Sequence, residues 1–492
     1  MGKNIYLTTT LPYVNAPAHL GFALEIVQAD VIARYHKLIG NDVFFNFGTD
    51  EHGLKIYQKA IEEGKELKEY CDEYALKFDA LKTSLNLSYN NFIRTTDQNH
   101  IKSAQEFWKL CDKNGDIYKK NYKAKYCVGC ELEKTDSELE DGKCPIHPNK
   151  NLEIIEEENY FFKFSNYQNK LLEFYDKNPD FVIPKSKFKE IKTFVKAGLQ
   201  DFSISRLKKK MPWGIDVPND PNHVMFVWFD ALVNYVSAIG WPNDTEKFQK
   251  WWPVIQFAGK DNLRQQTAIW QAMLMSAGLP NSKQVFIHGF VTANGQKMSK
   301  SLGNVINPIE VAEKYGTDAL RYFVLAKMNP FDDSDFTFEK FEEIYNADLA
   351  NGLGNLVSRV SKLCEKMKIN IRAISKTIAG KENKLVFWIP DPQLEKKYIE
   401  AIECFRFDSA LSLVWEKVAE LDRRINETKP WEFESVDRDR KEIENILKTD
   451  VVLWIRDIAT LLLPFLPATA AKIMAQFGGD EIKSLNPLFP RI

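Results

Sequence analysis

Three cysteines and a histidine stand in the order Cys127-x2-Cys130, a spacer of thirteen residues, then Cys144-x2-His147. Two short chelating knuckles of this kind bring four soft or borderline donors to one tetrahedral ion, and zinc suits the set. With all four positions filled by protein, the expected role is structural. A redox Cys-x-x-Cys is the competing reading. Two further loops carry a different chemistry. APAHLGFALE places Pro17, His19 and Gly21 at the start of a helix. Free N–H groups and partial positive charge there suit a phosphate, and an imidazole can donate to its oxygens. GQKMSKS places Lys297 and Lys300 three apart among serines and a glycine. Two cations on a loop that closes can neutralise a pyrophosphate as its charge develops. Alone, the first is an ordinary loop histidine and the second a solvated lysine loop. Together, after two strands of one sheet, they can grip ATP from both sides.

The elements that must position these loops are legible in the pattern. NIYLTTT is a β-rich run, LPYVNAPAHLG a Pro/Gly/Asn loop, and FALEIVQADVIARYHKLIG has apolar residues at helical spacing before Gly40. DVFFNFG is a second strand, followed by the polar turn TDEHG. Strand, loop, helix, strand is a βαβ unit of a parallel sheet. Around residue 116 the texture becomes short, polar and cysteine-rich, which predicts an inserted module. From about residue 221 the α/β texture returns in HVMFVWFDALVNYVSAI, PVIQFAGKD and KQVFIHGFV. The sheet is therefore expected to be split by the insert, with both halves contributing loops to one crevice. After about residue 340, Leu349, Leu353, Leu356, Val360 and Leu363, then Leu411, Val414, Trp415, Val418, Leu421 and Ile425, repeat at steps of 3 and 4, which predicts a helical bundle.

At 492 residues the chain is too long for one core, so several domains are expected. Apolar residues are 44% and charged residues 27%, an ordinary soluble composition. MGKNIYLTTT lacks the pattern of a signal peptide. VVLWIRDIATLLLPFLPATAAKIMAQF is broken by Arg456, Asp457, Pro464 and Pro467, and reads as a buried helix pair, not a membrane span. The expected compartment is the cytoplasm. A net charge of −2 neither demands nor excludes a nucleic-acid partner. Cys71, Cys111, Cys364 and Cys404 are scattered and expected to be buried thiols. RLKKK, residues 206–210, is expected to be a solvated face.

HLGF at 19–22 and KMSKS at 297–301 resemble the two signatures of the class I aminoacyl-tRNA synthetases. PYVNAPAHLG, GTDEHG, ISR, VWFDALVNY and FAGKDN narrow the resemblance to the methionyl-tRNA synthetase family, in unbroken order from about residue 4 to about residue 470. The resemblance implies an α/β fold: a Rossmann-type parallel sheet split by a small zinc-binding connective insert, then an all-α anticodon-binding bundle. The implied boundaries are 1–115 and 221–295 for the two halves of the catalytic domain, 116–220 for the insert, 296–345 for the KMSKS loop and stem-contact region, and 346–492 for the bundle. It further implies methionine activation by ATP with Mg2+, through methionyl-adenylate, and transfer to tRNA(Met). His19, Gly21, Lys297 and Lys300 would hold the phosphates, with Gly259 and Asp261 near the ribose. Leu11 and Tyr13 would flank the methionine side chain and Asp50 would pair with its α-ammonium. Trp228, Ala231, Leu232 and Tyr235 would wall the thioether, with Gln266 near the sulfur. Asn355, Arg359 and Trp431 match positions the family uses for the anticodon, where Trp431 can stack on an unpaired base.

Two departures from the family pattern stand out. Phe22 stands where the first signature has a second histidine. Gln265-Gln266 stands where the family often has Phe-His or Phe-Gln. These departures keep a non-catalytic tRNA-binding paralogue in view. A cysteine enzyme is disfavoured because it would carry zinc in its amino acid pocket, and enzymes for isoleucine, valine and leucine because their insert is much larger. An apolar pocket discriminates poorly between near-isosteres, so some activation of homocysteine is expected. The expected state is a monomer.

Overall fold

Asn4–Thr8 (β1) runs parallel to Asp42–Thr49 (β2) on one side and to Ile255–Gly259 (β5) on the other. The computed structural model describes residues 2–129, 132–134, 136–298, 303–369, 392–432 and 440–492. Asn91–Arg94 (β3) extends the sheet beyond β2. Gln284–His288 (β6) and Val182–Ile183 (β4) extend it beyond β5. The order is β3-β2-β1-β5-β6-β4, all parallel. The order reverses between β1 and β5, and in such a sheet the crevice outside the carboxyl ends of those strands is the usual place for a ligand. DVFFNFGT in β2 is buried at every position after the first, as expected for a strand covered on both faces. Gly48 is required: a Cβ would fall 1.8 Å from the Ile93 carbonyl oxygen.

Leu20–Leu38 (α1) follows β1 and is buried around most of its circumference, polar Glu25, Gln28 and Asp30 included. It is therefore a central element, not a surface amphipathic helix. The insert is an antiparallel sheet in which Ile117–Cys127 pairs with Leu132–Lys134 and Glu153–Phe162. Within the span expected to be insert, the chain returns to the main sheet at Val182–Ile183, between helices Gln168–Lys177 and Lys185–Lys196.

After Ser334–Phe336 the described residues form no further strand, and helices Asn355–Lys366, Phe407–Thr428, Val452–Leu462 and Pro467–Gln476 build the bundle. Leu411, Val414, Val418, Leu421 and Ile425 are all buried, so the repeat read from sequence is the packing seam. The late apolar run is the expected helix pair, and no described helix is long and apolar enough to cross a membrane. Arg321 joins bundle to sheet. It is fully buried, pairs with Asp30 of α1 at 2.8 Å, and donates to the carbonyls of Phe465, Pro464 and Leu85. A buried guanidinium is tolerable only when its donors are this well occupied.

Candidate active site

His19 is the N-cap of α1. Its Nδ1 accepts from the Phe22 backbone N–H at 3.3 Å, which leaves the proton of the neutral ring on Nε2. Although the ring is open to the crevice, the surrounding protein lowers its pKa by desolvation, against the opposing pull of Asp261 and Glu25. The helix N-terminus disfavours imidazolium in the same sense. His19 is thus a neutral donor pointed from a positive helix end. Gly21 leaves room for it: a Cβ there would stand 3.2 Å from His19 Cε1 and Nδ1. Phe22 turns away into an aromatic group, 5.5 Å from Phe47 and 5.8 Å from Phe78 between ring centroids.

The lysine loop meets this helix end. Val291–Ala293 and Gln296–Lys297 form a hairpin closed by Asn294 and Gly295, both at positive φ, the backbone such a tight turn needs. Beyond Lys297, Met298 Cε would lie 3.9 Å from a Cβ at Gly21, and the Leu20 N–H donates to the Ile306 carbonyl at 3.0 Å. Lys297 is exposed, with Nζ 5.5 Å from the Phe290 ring centroid. Lys300 lies outside the described residues.

The crevice floor holds a pair that sequence reasoning missed. Glu25 accepts from the backbone N–H and hydroxyl of Thr10, at 2.7 and 2.6 Å, and from His288 Nε2 at 2.9 Å. His288 Nδ1 also donates to the Gly289 carbonyl, at 2.7 Å. Burial pulls the His288 pKa down, but the Glu25 carboxylate and this carbonyl outweigh it and the net shift is upward. Gly259 lies beside them: a Cβ would meet Asp261 Oδ1 at 2.8 Å and His288 Cε1 at 3.5 Å.

The residues expected around a methionine side chain fall on both sides of the same end of β1. Asp50 forms a backbone bridge with Tyr13, donating to the Pro12 carbonyl at 2.9 Å. Tyr13 and Trp228 pack on one small apolar cluster with Tyr126, Phe226 and Val227. Leu11 packs against the core that contains Leu232 and Tyr235, and Ala231 is half-buried on the same helical segment. Tyr235 Oη accepts from Gln266 Nε2 at 2.8 Å, and Gln266 Oε1 accepts from Gln256 at 2.8 Å. Gln265 and Gln266 open a π-helical stretch, Gln265–Ile269. Behind this wall, Asp230 is buried between His52 and His100, a network also missed. The available signal was an acid in the middle of the apolar run VWFDALVNYV.

Cys127, Cys144 and His147 bring ligand atoms within 4.8 Å of one another, a set that could hold a metal ion. Cys130 lies outside the described residues. A Cβ on Gly129 would come 2.4 Å from His147 Cγ, so the knuckle needs that glycine. Glu138 of the insert pairs with Arg264, three residues after Asp261, at 3.1 Å.

In the bundle, Arg359 lies between Asp422 at 2.6 Å and Asn426 at 2.7 Å, with its guanidinium 5.5 Å from the Trp431 ring. Trp431 is 43% exposed. Asn355 is exposed one turn earlier on the Arg359 helix. A cavity of about 310 Å³ is lined by Arg359, Lys366 and Trp431 together with the apolar Ile425 and Leu447.

Two expectations are corrected. Cys404 is exposed, unlike Cys71, Cys111 and Cys364, because it follows the end of its helix. Arg206 is no solvated residue: it is buried, 5.1 Å from the Tyr126 ring centroid and 4.7 Å from that of Phe226, and donates to Ser203 Oγ. Lys208 and Lys210 of the same run pair with Asp216 and Glu157.

The family described as tRNA synthetases class I (M) matches residues 5–153 and 129–361. A methionine–tRNA ligase of Nostoc sp. is 42% identical over 97% of this chain and 90% of its own length. One from Thermotoga maritima is 40% identical over 98% of this chain and 76% of its own. The structure of Mycobacterium tuberculosis methionyl-tRNA synthetase in complex with methionyl-adenylate superposes with a TM-score of 0.89 at 32% identity, covering 99% of this chain and all of that one.

Proposed function

The chain belongs to the class I tRNA synthetases of the methionine type, and from that membership we propose that it attaches methionine to tRNA(Met) with ATP, through methionyl-adenylate and with release of pyrophosphate. The observation that carries this reading is the meeting of the His19 helix end with the Lys297–Met298 loop across one crevice. ATP enters as its Mg2+ complex. The methionine carboxylate attacks the α-phosphorus, the bond to the bridging oxygen breaks, and pyrophosphate leaves with the electron pair. The nucleophile is already ionised, so positioning and charge stabilisation do most of the work. His19 donates through Nε2 to a phosphate oxygen, and Lys297 with Lys300 neutralises the leaving group. Gly21 lets the phosphates approach the helix end, while Gly259 and Asp261 receive the ribose. In the second step the terminal ribose hydroxyl of tRNA attacks the acyl carbon and AMP leaves.

Asp50 would hold the α-ammonium. Leu11, Tyr13, Trp228, Ala231, Leu232 and Tyr235 would enclose the side chain, with the Gln266–Tyr235 pair near the sulfur. Cys127, Cys130, Cys144 and His147 would hold one structural zinc ion, and the mutual approach of the three described ligands supports that fit. Asn355, Arg359 and Trp431 would read the anticodon. The catalytic halves 1–115 and 221–295, the insert 116–220, the stem-contact region 296–345 and the bundle 346–492 are our division of the chain. The reading is of a monomer acting in the cytoplasm.

The test is methionine-dependent exchange of pyrophosphate into ATP, with cysteine, leucine and isoleucine as controls. Exchange with methionine alone is expected. Folded, zinc-loaded protein that exchanges with none of them would instead be a tRNA binder without this catalysis.

A further inference from the structure

Asp230 is fully buried, and its carboxylate bridges two imidazoles. His52 Nδ1 lies 2.7 Å from Oδ2 and His100 Nε2 lies 2.8 Å from Oδ1. The network continues from His100 Nδ1 to Ser237 Oγ at 2.9 Å. The carboxylate only accepts, so each ring donates to it and its tautomer is set. Three elements are tied together. His52 lies in the turn after β2, two residues beyond Asp50. His100 lies on helix Gln98–Lys113. Asp230 and Ser237 lie on the helical segment that runs as Val227–Leu232 and Asn234–Ser237.

The geometry of that segment gives the network a purpose. At about 100° per residue, Asp230 and Ser237 share one face, Trp228, Leu232 and Tyr235 fall on the opposite one, and Ala231 lies between the two. The face that meets the network is thus the back of the face that walls the amino acid. Phe229, Val233 and Val236 pack this segment into the core, Phe229 against Phe107 and Trp108 of the His100 helix. A cleft of about 530 Å³, lined by His100, Ser237, Trp241 and Asp244, opens behind it. Apolar contacts are non-directional, and the hydrogen bonds to His52 and His100 add the directional restraint on the rotation of the segment about its axis.

We propose that Asp230 is a positioning residue for amino acid selection: with His52 and His100 it sets the rotation of the wall segment against the turn that carries Asp50, and so the span between ammonium site and thioether wall. The inference rests on the pocket reading given above. An apolar wall by itself separates similar side chains weakly, so the span between its two ends has to supply part of the selection. A shift of about 1 Å in such a span is costly.

The test measures KM for methionine and for ATP, and kcat, in pyrophosphate exchange. The variants are Asp230→Asn, His100→Leu, His100→Gln and, as a control on the pocket itself, Trp228→Ala. In Asp230→Asn the new amide faces one ring N–H donor to donor. We expect its methionine KM to rise about tenfold or more, with kcat and the ATP KM within about threefold. His100→Leu should do the same, and His100→Gln, whose amide donates in place of Nε2, should return to near the wild-type value. Wild-type methionine KM in Asp230→Asn and His100→Leu, with Trp228→Ala raised, overturns the positioning role alone. Parallel change of kcat and both KM values overturns it as well. An unchanged methionine KM in Trp228→Ala overturns the pocket reading and this inference with it. If Asp230→Asn fails to fold, the two His100 variants decide, and equal values for them refute the proposal.

Discussion

His288 donates from both ring nitrogens, to Glu25 Oε2 at 2.9 Å and to the Gly289 carbonyl at 2.7 Å, so the ring carries two protons and a buried positive charge at the crevice floor. Its pKa is raised above the ordinary imidazole value of 6.5. A raised folded-state value contributes stability that is complete below 6.5 and is lost as pH rises through the raised value. The denaturant midpoint of the wild type should therefore fall on the alkaline side of 6.5. In Glu25→Gln the ring has no carboxylate partner, and this part of the slope should vanish. An identical slope in both proteins would mean that the pair is not charged.

Gly21→Ala separates stability from activity. Alanine is favoured over glycine in a helix by about 1 kcal/mol, so the melting temperature should not drop. The new Cβ presses on His19 at 3.2 Å and narrows the approach to Met298. Pyrophosphate exchange should fall by about tenfold or more. An alanine variant with full exchange would remove His19 from the reaction.

Purified protein should contain one equivalent of zinc by elemental analysis. Gly129→Ala, whose Cβ would overlap the His147 ring, should lose most of it and unfold at lower temperature, since a structural zinc contributes folding energy directly. Full zinc content in that variant would show that His147 is not a ligand.

Trp431→Ala should raise KM for tRNA(Met) in charging by about tenfold, the range of one lost base stack of about 1–3 kcal/mol. Exchange without tRNA should be unchanged, because the ring lies in the bundle beside Arg359. Equal charging by both proteins would return Trp431 to the role of an exposed surface residue.

Phe22→His restores the residue expected at the fourth signature position but removes an aromatic ring from Phe47 and Phe78. The loss should be about 1 kcal/mol in a thermal or denaturant melt. The same rotamer points the new imidazole into that apolar group, so KM for ATP should not improve. A lower ATP KM would show that the ring swings out to the phosphates.

The sequence alone determined whatever is encoded over short spans. The Cys/His knuckles, the His19 cap and its glycine, the lysine loop and the helical repeat of the bundle are each contiguous, and local geometry follows from spacing. The tertiary structure decided which charges are buried and what pairs them. Glu25 and His288 stand 263 residues apart in sequence, and His100 meets Asp230 across 130. Such partners leave no periodicity to read. Arg206 sits in a run that reads as solvated, yet Tyr126 and Phe226 enclose it. Val182–Ile183 is too short to announce a strand, and only pairing with β6 makes it one. Burial is a property of neighbours brought together by the fold, and a linear chain does not state who those neighbours are.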